Sequence, residues 1–307
     1  MERMFGLGGN FTYCVCAACA SIYLQDIGID LSPYYPQNYY SYGTNQRSGL
    51  LTALDRWLAK RRARAIIRFC SAARARIDRN ARIMDVGSGK ADLLDGFRLL
   101  GFSKVVGVDP FLQPEIETNG LPVERRTIEE LADDAGYRSS VDLLMFHHSL
   151  EHVSDPASSL RAASKLLSPC GAIVVRIPIV NYAWERYRTC WIGLDAPRHM
   201  AIPTESGFRT LAERLGFEVD HVAYDSDASQ FVVSEAYERG RTLTEAFPSS
   251  PPRTVLRKIL TLGASWRARH LNALGRGDQA AFLLRVSPSE MQEGQRSTQR
   301  SYMQSPA

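Results

Sequence analysis

The residues best suited to holding a ligand lie in the stretch RIMDVGSGKADLL, residues 82–94. A short apolar run ends at Asp85, and Gly87 and Gly89 follow it, so the backbone can come close to a bound molecule. Asp109 ends the next apolar run, 22 residues after Gly87. This spacing is near the offset of about 20 residues at which a carboxylate meets ribose hydroxyls in nucleotide-binding sheets. Two carboxylates suit a ligand that has an amino group and a ribose but no phosphate.

The sequence of this turn does not match two well-known phosphate-binding motifs. A P-loop needs a glycine five positions before its Gly-Lys pair and Ser or Thr after it, but these positions hold Met84 and Ala91. The dinucleotide fingerprint needs a third glycine three residues after the second, and the chain has Asp92 there. A nicotinamide oxidoreductase therefore ranks last among the functions that this turn allows.

Four histidines accompany these motifs: His147, His148, His152 and His199. Histidine is the usual proton acceptor near neutral pH. His147 and His148 end an apolar run, and ligands of parallel sheets bind at the carboxyl ends of the strands. His199 lies in the loop GLDAPRHMAIPT. We predict His148 and His199 as the candidate catalytic bases, with His147 as a third.

The apolar pattern predicts the elements that must position these side chains. Residues 49–80 have helical spacing, which predicts one long helix or two consecutive ones. Helical segments lie between most of the short apolar runs, which predicts an α/β, doubly wound, mostly parallel sheet covered on both faces. The predicted strands are residues 82–86, 104–108, 122–126, 141–146, 172–177 and 218–224.

Composition divides the chain into three parts. Residues 1–48 form an N-terminal appendage rich in Cys and Tyr, and residues 49–286 form the main domain. Residues 241–276 are predicted to be a helical insertion that includes the linker-like FPSSPPRT, and the run DQAAFLLRV then returns to the sheet as an edge strand. The polar residues 287–307 are predicted to be a disordered tail.

The motifs IMDVGSGKADLL, VVGVDPF, VDLLMFHHSLEHVSDP, LLSPCGAIVVRIPI and PRHMAIPTESGFRTLAERLGFEV resemble, in order and spacing, the class I S-adenosylmethionine-dependent methyltransferases. The resemblance covers about residues 50–236, and is closest to the branch with a Leu-Glu-His turn after its fourth strand. It implies a Rossmann-like fold and S-adenosylmethionine as cofactor. Ala91 departs from the third small position of the family's glycine motif, which is usually Gly.

The resemblance also implies which residues touch the cofactor. Gly87, Ser88 and Gly89 would lie under its methionine part, with Asp85 near the amino group and Asp109 at the ribose. The remaining implied contacts are Ile128 and Glu129 at the adenine, and Phe146 and His147 at the methyl-donor site.

Metal sites are not expected. Glu151 and His152 match two metal-binding positions of the ubiquinone-type O-methyltransferases, but His148 replaces the acid that accompanies them there. We therefore interpret Glu151 and His152 as turn and helix-start residues. Cys16 and Cys19 are half of a zinc-ribbon pattern, and Cys14 offers a third thiol without a fourth ligand, so the segment is a remnant of such a ribbon.

Aromatic clusters allow two interpretations. Tyr182, Trp184, Tyr187 and Trp191 share one loop with Arg186 and Arg188, which fits either a lid over the substrate or packing on the core. The tyrosines at positions 34, 35, 39, 40 and 42 either close over the cofactor, as the N-terminal segment does in similar enzymes, or form a surface turn.

Overall charge is mild, at +4 with an isoelectric point of about 8.7, and no apolar run is long enough to cross a membrane. We predict a cytoplasmic methyltransferase acting on oxygen or nitrogen of a small polar metabolite, with a sugar or glycan precursor as one possibility. Residues 56–82 carry ten Lys or Arg, so an RNA methyltransferase is one alternative, although a solvated helix face explains the run better. A non-catalytic cofactor-binding or scaffold protein is the other.

Overall fold

The computed structural model describes residues 1–26, 28–35, 50–113, 116–246 and 254–287. Its strands are β1 (Tyr13–Val15), β2 (Ile22–Leu24), β3 (Ile83–Val86), β4 (Val105–Val108), β5 (Val123–Glu124), β6 (Val141–His147), β7 (Leu167–Pro178), β8 (Ala201–Ile202), β9 (Phe217–Tyr224) and β10 (Gln279–Val286). Its α-helices are α1 (Leu50–Ala72), α2 (Asp92–Arg98), α3 (Ile128–Ala132), α4 (Pro156–Leu166), α5 (Tyr182–Tyr187), α6 (Glu205–Arg214), α7 (Ser229–Glu238), α8 (Leu243–Ala246) and α9 (Thr254–Ala273).

Seven strands form the main sheet, in the order β5-β4-β3-β6-β7-β10-β9. The strands from β5 to β7 pair in parallel, and β10 is antiparallel to both of its neighbours. The six strands predicted before residue 225 and the long N-terminal helix are confirmed. The prediction that the last strand lies at the edge is wrong, because β10 is inserted between β7 and β9. Its fully buried residues 280–284 need cover on both sides, which an edge position would not provide.

Burial explains why these short apolar runs became strands. All four residues of β3 and all four of β4 are buried, as expected for parallel strands covered on both faces. One core layer includes Met84, Phe146 and Ile128, and the other includes Ile83, Phe97 and Met145. Alternate residues of one strand therefore face opposite helical layers, and the carboxyl ends of β3, β4 and β6 stay at one rim of the sheet.

The N-terminal segment packs against the main domain. β1 pairs with β2, and β2 pairs with β8, so that a small three-stranded sheet joins the segment to the loop that follows β7. Arg198, whose side chain is completely buried, pairs with Glu2 at 2.9 Å and with Asp195 at 2.5 Å. Tyr39, Tyr40, Tyr42, the linker at 247–253 and the tail from 288 lie outside the described residues. No helix in the described ranges is long and apolar enough to span a membrane.

The aromatic loop after β7 belongs to a third core cluster. Tyr187 is 4 % exposed and Trp191 is 1 % exposed, and both belong to the same buried apolar cluster as Phe231 of α7 and Ala268 of α9. The arginines lie on the surface side, where Arg186 pairs with Glu238 at 2.9 Å. Of the two interpretations of this loop, the structure supports packing on the core and not a lid.

We expect Trp191→Phe to destabilise the fold by about 2 kcal/mol. The indole N–H donates to Asp278 Oδ2 at 2.7 Å, and burial raises the pKa of that carboxyl to about 6. Phe fills most of the volume but leaves a buried carboxylate without this donor. Urea unfolding measures the change, and Trp184→Phe, at a half-buried ring in the same loop, is the matched control. Equal losses in both variants would contradict the importance of the hydrogen bond.

Candidate functional site

The glycine turn and Asp109 form one hydrogen-bonded unit at the rim of the sheet. Gly87 and Gly89 have φ of +73° and +50°, a region that favours glycine. The Gly89 amide donates to Asp109 Oδ2 at 2.9 Å, and the Phe111 amide donates to Oδ1 at 3.0 Å. Ala91 keeps the left-handed conformation of the glycine it replaces, with φ of +63°.

Two carboxyl groups are buried together in this turn. Asp85 is 4 % exposed and Asp109 is 3 % exposed. Burial and then the nearby Asp109 raise the pKa of Asp85 to about 8. Burial also raises the pKa of Asp109, although the amides that it accepts from oppose this rise. Among the described residues, Oδ1 of Asp85 and Oγ of Ser88 are buried without a hydrogen-bond partner. Asp85 therefore lacks a hydrogen-bond donor at Oδ1, as expected where a cationic ligand group would bind.

Asp85→Asn is expected to gain stability relative to the wild type as pH rises from about 4 to 8. Because the pKa of Asp85 is raised in the folded state, the folded protein holds a proton that the unfolded chain loses near pH 4. The wild type therefore loses this contribution as pH rises toward the folded pKa of about 8, whereas the amide does not titrate. Urea unfolding at pH 5 and pH 8 measures the gap. A gap independent of pH would contradict the burial of an uncompensated carboxyl.

The residues predicted at the adenine and the methyl-donor site have mixed placements. Ile128 and Phe146 are 3 % and 1 % exposed and point into the core layer beneath α3 and α4. Glu129 accepts a hydrogen bond from Ser159 of α4 at 2.7 Å. His147 is half-buried at the end of β6, and its pKa is lowered well below the usual value, first by burial and then by His148. Cofactor contacts by Ile128 and Phe146 would thus have to use their backbone or one edge of the side chain.

His148 is held at both ring nitrogens. Its backbone has φ of +57°, and Nδ1 lies 3.3 Å from Glu151 Oε1, so Nδ1–H donates to the carboxylate. Nε2 then accepts from the Arg176 guanidinium and, at 3.3 Å, from the Gln279 amide. Burial and the positive charge of Arg176 hold its pKa well below the usual value. The nitrogen that would take a proton from a substrate is already occupied.

Glu151, His152 and His199 come together beside His148. His152 Nδ1 lies 3.0 Å from the Arg198 carbonyl, and His199 Nδ1 lies 2.8 Å from the Gly193 carbonyl. Because a carbonyl only accepts, each Nδ1 carries a proton, and the lone pair of the neutral form of either ring is on Nε2. The centroids of the His152 and His199 rings are 4.7 Å apart. Burial lowers the pKa of His152 to about 4, so this ring is neutral at pH 7.

Ser149 joins this cluster to the glycine turn. Its hydroxyl donates to the Val86 carbonyl at 2.5 Å, and a side chain at position 87 would overlap the Cβ of Ser149. Glu151 and His152 follow Ser149 two and three positions later in the chain. The N-terminal segment reaches the same place, since the Tyr13 hydroxyl donates to the His199 carbonyl at 2.8 Å and the Tyr35 hydroxyl lies 3.2 Å from His152 Nδ1. The ligand turn and the imidazole cluster are neighbours at one rim.

The structure adds residues that the sequence analysis missed. Arg176 and Gln279 restrain His148, while Asp195 and Arg198 restrain the loop that carries His199. These residues come from β7, β10 and the loop before β8. Arg176, Asp195 and Arg198 lie within stretches quoted in the sequence analysis, but local spacing does not show that they restrain a histidine or its loop. Within the described chain, Cys14, Cys16 and Cys19 do not form a three-ligand group, and Glu151, His152 and His199 are the group that does.

Comparison with known proteins identifies the family of this chain. Residues 57–222 match the family model described as a methyltransferase domain. The chain is 37 % identical over 102 residues to the ubiquinone biosynthesis O-methyltransferase of Marinobacter nauticus, covering 31 % of this chain and 42 % of that one. It is 37 % identical over 97 residues to the Ruegeria pomeroyi enzyme of the same name, covering 29 % and 38 %. The match thus spans about two fifths of the length of these curated relatives.

A solved structure also resembles the chain. It is that of a SAM-dependent methyltransferase from Archaeoglobus fulgidus, with 17 % identity and a TM-score of 0.47. The alignment covers 77 % of this chain and 99 % of that one.

Proposed function

Because the chain belongs to the methyltransferase domain family, as a class I S-adenosylmethionine-dependent methyltransferase, we propose that it methylates an oxygen atom of a small molecule. The observation that carries the proposal is the contact of Ser149 with Gly87, which sets a nucleotide-type turn beside three proton-accepting side chains. The names of the curated relatives favour oxygen over nitrogen as the acceptor.

The glycine turn fits the cofactor because its buried polar groups lack partners. Oδ1 of Asp85 is free to accept from the cofactor's ammonium group, and Oγ of Ser88 is free to donate to its carboxylate. Each oxygen of Asp109 accepts one backbone amide and keeps a second lone pair for a ribose hydroxyl. Cofactor binding would thus satisfy atoms that are costly to bury alone.

Methyl transfer needs an acceptor oxygen in line with the carbon–sulfur bond. As the oxygen bonds to the methyl carbon, the carbon–sulfur bond breaks, S-adenosylhomocysteine leaves and the hydroxyl loses its proton. We assign that proton to the Glu151, His152 and His199 cluster, with His199 preferred to His148 because Nε2 of His148 already accepts from Arg176. His199 Nδ1 donates to a main-chain carbonyl, and its Nε2 lies 4.0 Å from Glu151 Oε1 and 3.9 Å from Asp195 Oδ2, beyond hydrogen-bond distance of either.

The acceptor is proposed to be small and polar. Charged and amide side chains surround the imidazoles, since Arg176 and Gln279 lie on one side and Asp195 on the other. These polar surroundings favour a hydroxyl compound that carries further polar groups. A sugar hydroxyl, predicted from the sequence, is one member of this class that the test includes.

Incubation of the purified chain with S-adenosylmethionine and separate pools of phenols, sugars and amines tests the proposal. Mass spectrometry measures S-adenosylhomocysteine and the methylated product. We expect a hydroxyl compound to gain one methyl group. Methylation confined to the amine pool would overturn the oxygen assignment, and failure of the wild type to bind S-adenosylhomocysteine would overturn the whole proposal.

A further inference from the structure

We propose that Cys16 and Cys19 form a reversible disulfide by exchange with a small-molecule disulfide such as oxidised glutathione. The two residues lie at the tip of the hairpin formed by β1 and β2. The sequence analysis interpreted them as the remnant of a zinc ribbon, because a structural zinc site needs four ligands and the segment offers three thiols. The inference concerns the free thiols of that remnant and does not depend on the proposed function.

The turn that joins Cys16 to Cys19 suits a disulfide. The Ala20 amide donates to the Cys16 carbonyl at 2.8 Å, and the Cys16 amide donates to the Ser21 carbonyl at 2.8 Å. The first of these bonds closes the turn, whose central residues are 17–19. The first and fourth residues of a tight turn have Cα atoms within about 7 Å of each other, and disulfides span Cα distances of about 4.4–6.8 Å. Backbone hydrogen bonds thus hold the pair in a suitable arrangement.

Cys16 is the thiol of this pair that we expect to react first. Its side chain is partly exposed, so a small disulfide can reach it. Its pKa is lowered, first by hydrogen bonds from the backbone amides of Cys19 and Ala18 and then by the Cys19 side chain. The thiolate is the nucleophile in disulfide exchange, so a lower pKa increases the reactive fraction near neutral pH.

Cys19 is placed to complete the exchange. Its side chain lies close enough to Cys16 to contribute to the lowered pKa of that thiol. The Cys19 thiol donates to Ser21 Oγ at 3.1 Å. Rotation about the Cα–Cβ bond of Cys19 would exchange this hydrogen bond for a bond to the Cys16 sulfur. The backbone of the turn does not have to open for this rotation.

Cys14 is the neighbouring thiol that this site does not use. It lies in β1 opposite Tyr23, and its Sγ is 3.9 Å from Gln25 Oε1. Residues two apart in an extended strand are separated by about 6.6 Å, whereas the Cβ atoms of a disulfide are about 3.5–4.5 Å apart. A bond between Cys14 and Cys16 would therefore distort the strand.

The exchange balances in two steps. The Cys16 thiolate attacks one sulfur of oxidised glutathione, the sulfur–sulfur bond of that molecule breaks, and one glutathione thiolate leaves. The Cys19 thiolate then attacks the Cys16 sulfur of the mixed disulfide, and the second glutathione leaves. The two cysteines lose two electrons to oxidised glutathione, and the two thiol protons end on the two glutathione molecules.

The disulfide would restrain the hairpin where it meets the loop that carries His199. The Thr204 hydroxyl donates to the Cys19 carbonyl at 2.8 Å, and the Thr204 amide donates to Ser21 Oγ at 3.1 Å. β2 also pairs with β8, which begins two residues after His199. The proposed bond would therefore stiffen the structure on which this loop rests.

Mass spectrometry of the reduced, chelator-treated full chain after incubation with oxidised glutathione tests this site. We expect residues 14–19 to lose two hydrogen atoms and to retain no glutathione. Cys19→Ser should retain one glutathione on Cys16, because the second thiol is missing, and Cys16→Ser should not form the disulfide. Dithiothreitol should restore both thiols of the wild type. Modification of Cys170, an exposed thiol of β7, shows that the oxidant is active.

Cys14→Ser is the matched control, since it removes another partly exposed thiol of the same hairpin and should form the disulfide as the wild type does. A wild type that retains glutathione on Cys16 without the internal bond would overturn the inference. Unmodified Cys16 and Cys19 beside modified Cys170 would overturn it as well. Loss of the bond in Cys14→Ser would contradict the assignment of the pair. These readouts need neither cofactor nor acceptor, so their failure is distinct from failure of the proposed function.

Discussion

Replacement of Asp109 by Ala is expected to weaken S-adenosylhomocysteine binding by about 100-fold or more. The carboxylate is predicted to accept from the ribose hydroxyls, and hydrogen bonds to a charged acceptor contribute about 1.5–3 kcal/mol each. It also accepts from the Gly89 amide at 2.9 Å, so its loss loosens the glycine turn, which is predicted to lie beneath the methionine part of the cofactor. Calorimetric titration with S-adenosylhomocysteine measures the change.

The control for this variant is Asp133→Ala. Asp133 is an exposed carboxylate at the end of α3, paired loosely with Lys165 at 3.8 Å, so its removal should leave affinity unchanged. Asp109→Asn keeps the shape and one acceptor oxygen, and should fall between the wild type and Asp109→Ala. An Asp109→Ala protein that folds with wild-type thermal stability and binds within about threefold of the wild type would exclude Asp109 from the cofactor site.

His199→Gln is expected to reduce the rate of methyl transfer by about 10²- to 10⁴-fold, the range usual for loss of a general acid–base group. The same variant should bind S-adenosylhomocysteine as the wild type does. Gln keeps a polar side chain of similar reach but cannot take the proton. The rate is measured as S-adenosylhomocysteine formed with the acceptor that the pools identify.

His148→Gln provides the comparison for this prediction. Because its Nε2 already accepts from Arg176, we expect a smaller loss than for His199→Gln, of about tenfold. A larger loss in His148→Gln than in His199→Gln would reverse the assignment. A pH–rate profile adds a second readout, since removal of a proton acceptor eliminates its limb of the profile whereas loosened packing does not.

Most of the sheet was predictable because its signals are local. The run from Ile83 to Val86 is apolar except for Asp85 and is followed by glycines, which predicts a buried parallel strand followed by a tight turn. β10 has the same apolar character, but its neighbours in the sheet are chosen by topology. The sequence therefore predicted a strand and misplaced it at the edge.

The aromatic loop shows where local pattern is ambiguous. Tyr187 and Trp191 occur beside exposed arginines, a composition that suits a lid as well as a core-facing turn. Whether the loop packs on the core depends on residues such as Phe231 and Ala268, which lie far along the chain and share one buried cluster with the two rings. No spacing rule within residues 181–194 contains that information.

The sequence by itself determined the doubly wound α/β fold, the glycine turn and the pairing of Asp85 with Asp109, because these depend on periodicity and on offsets between adjacent strands. Only the tertiary structure decided which imidazoles meet. The loop before β8, held by the buried Arg198 between Glu2 and Asp195, carries His199 to Glu151 and His152. Arg176 and Gln279, from strands distant in sequence, contact Nε2 of His148, the nitrogen with which it would accept a substrate proton. Long-range packing, which has no local signature, therefore brought together the residues that we propose for the acceptor site.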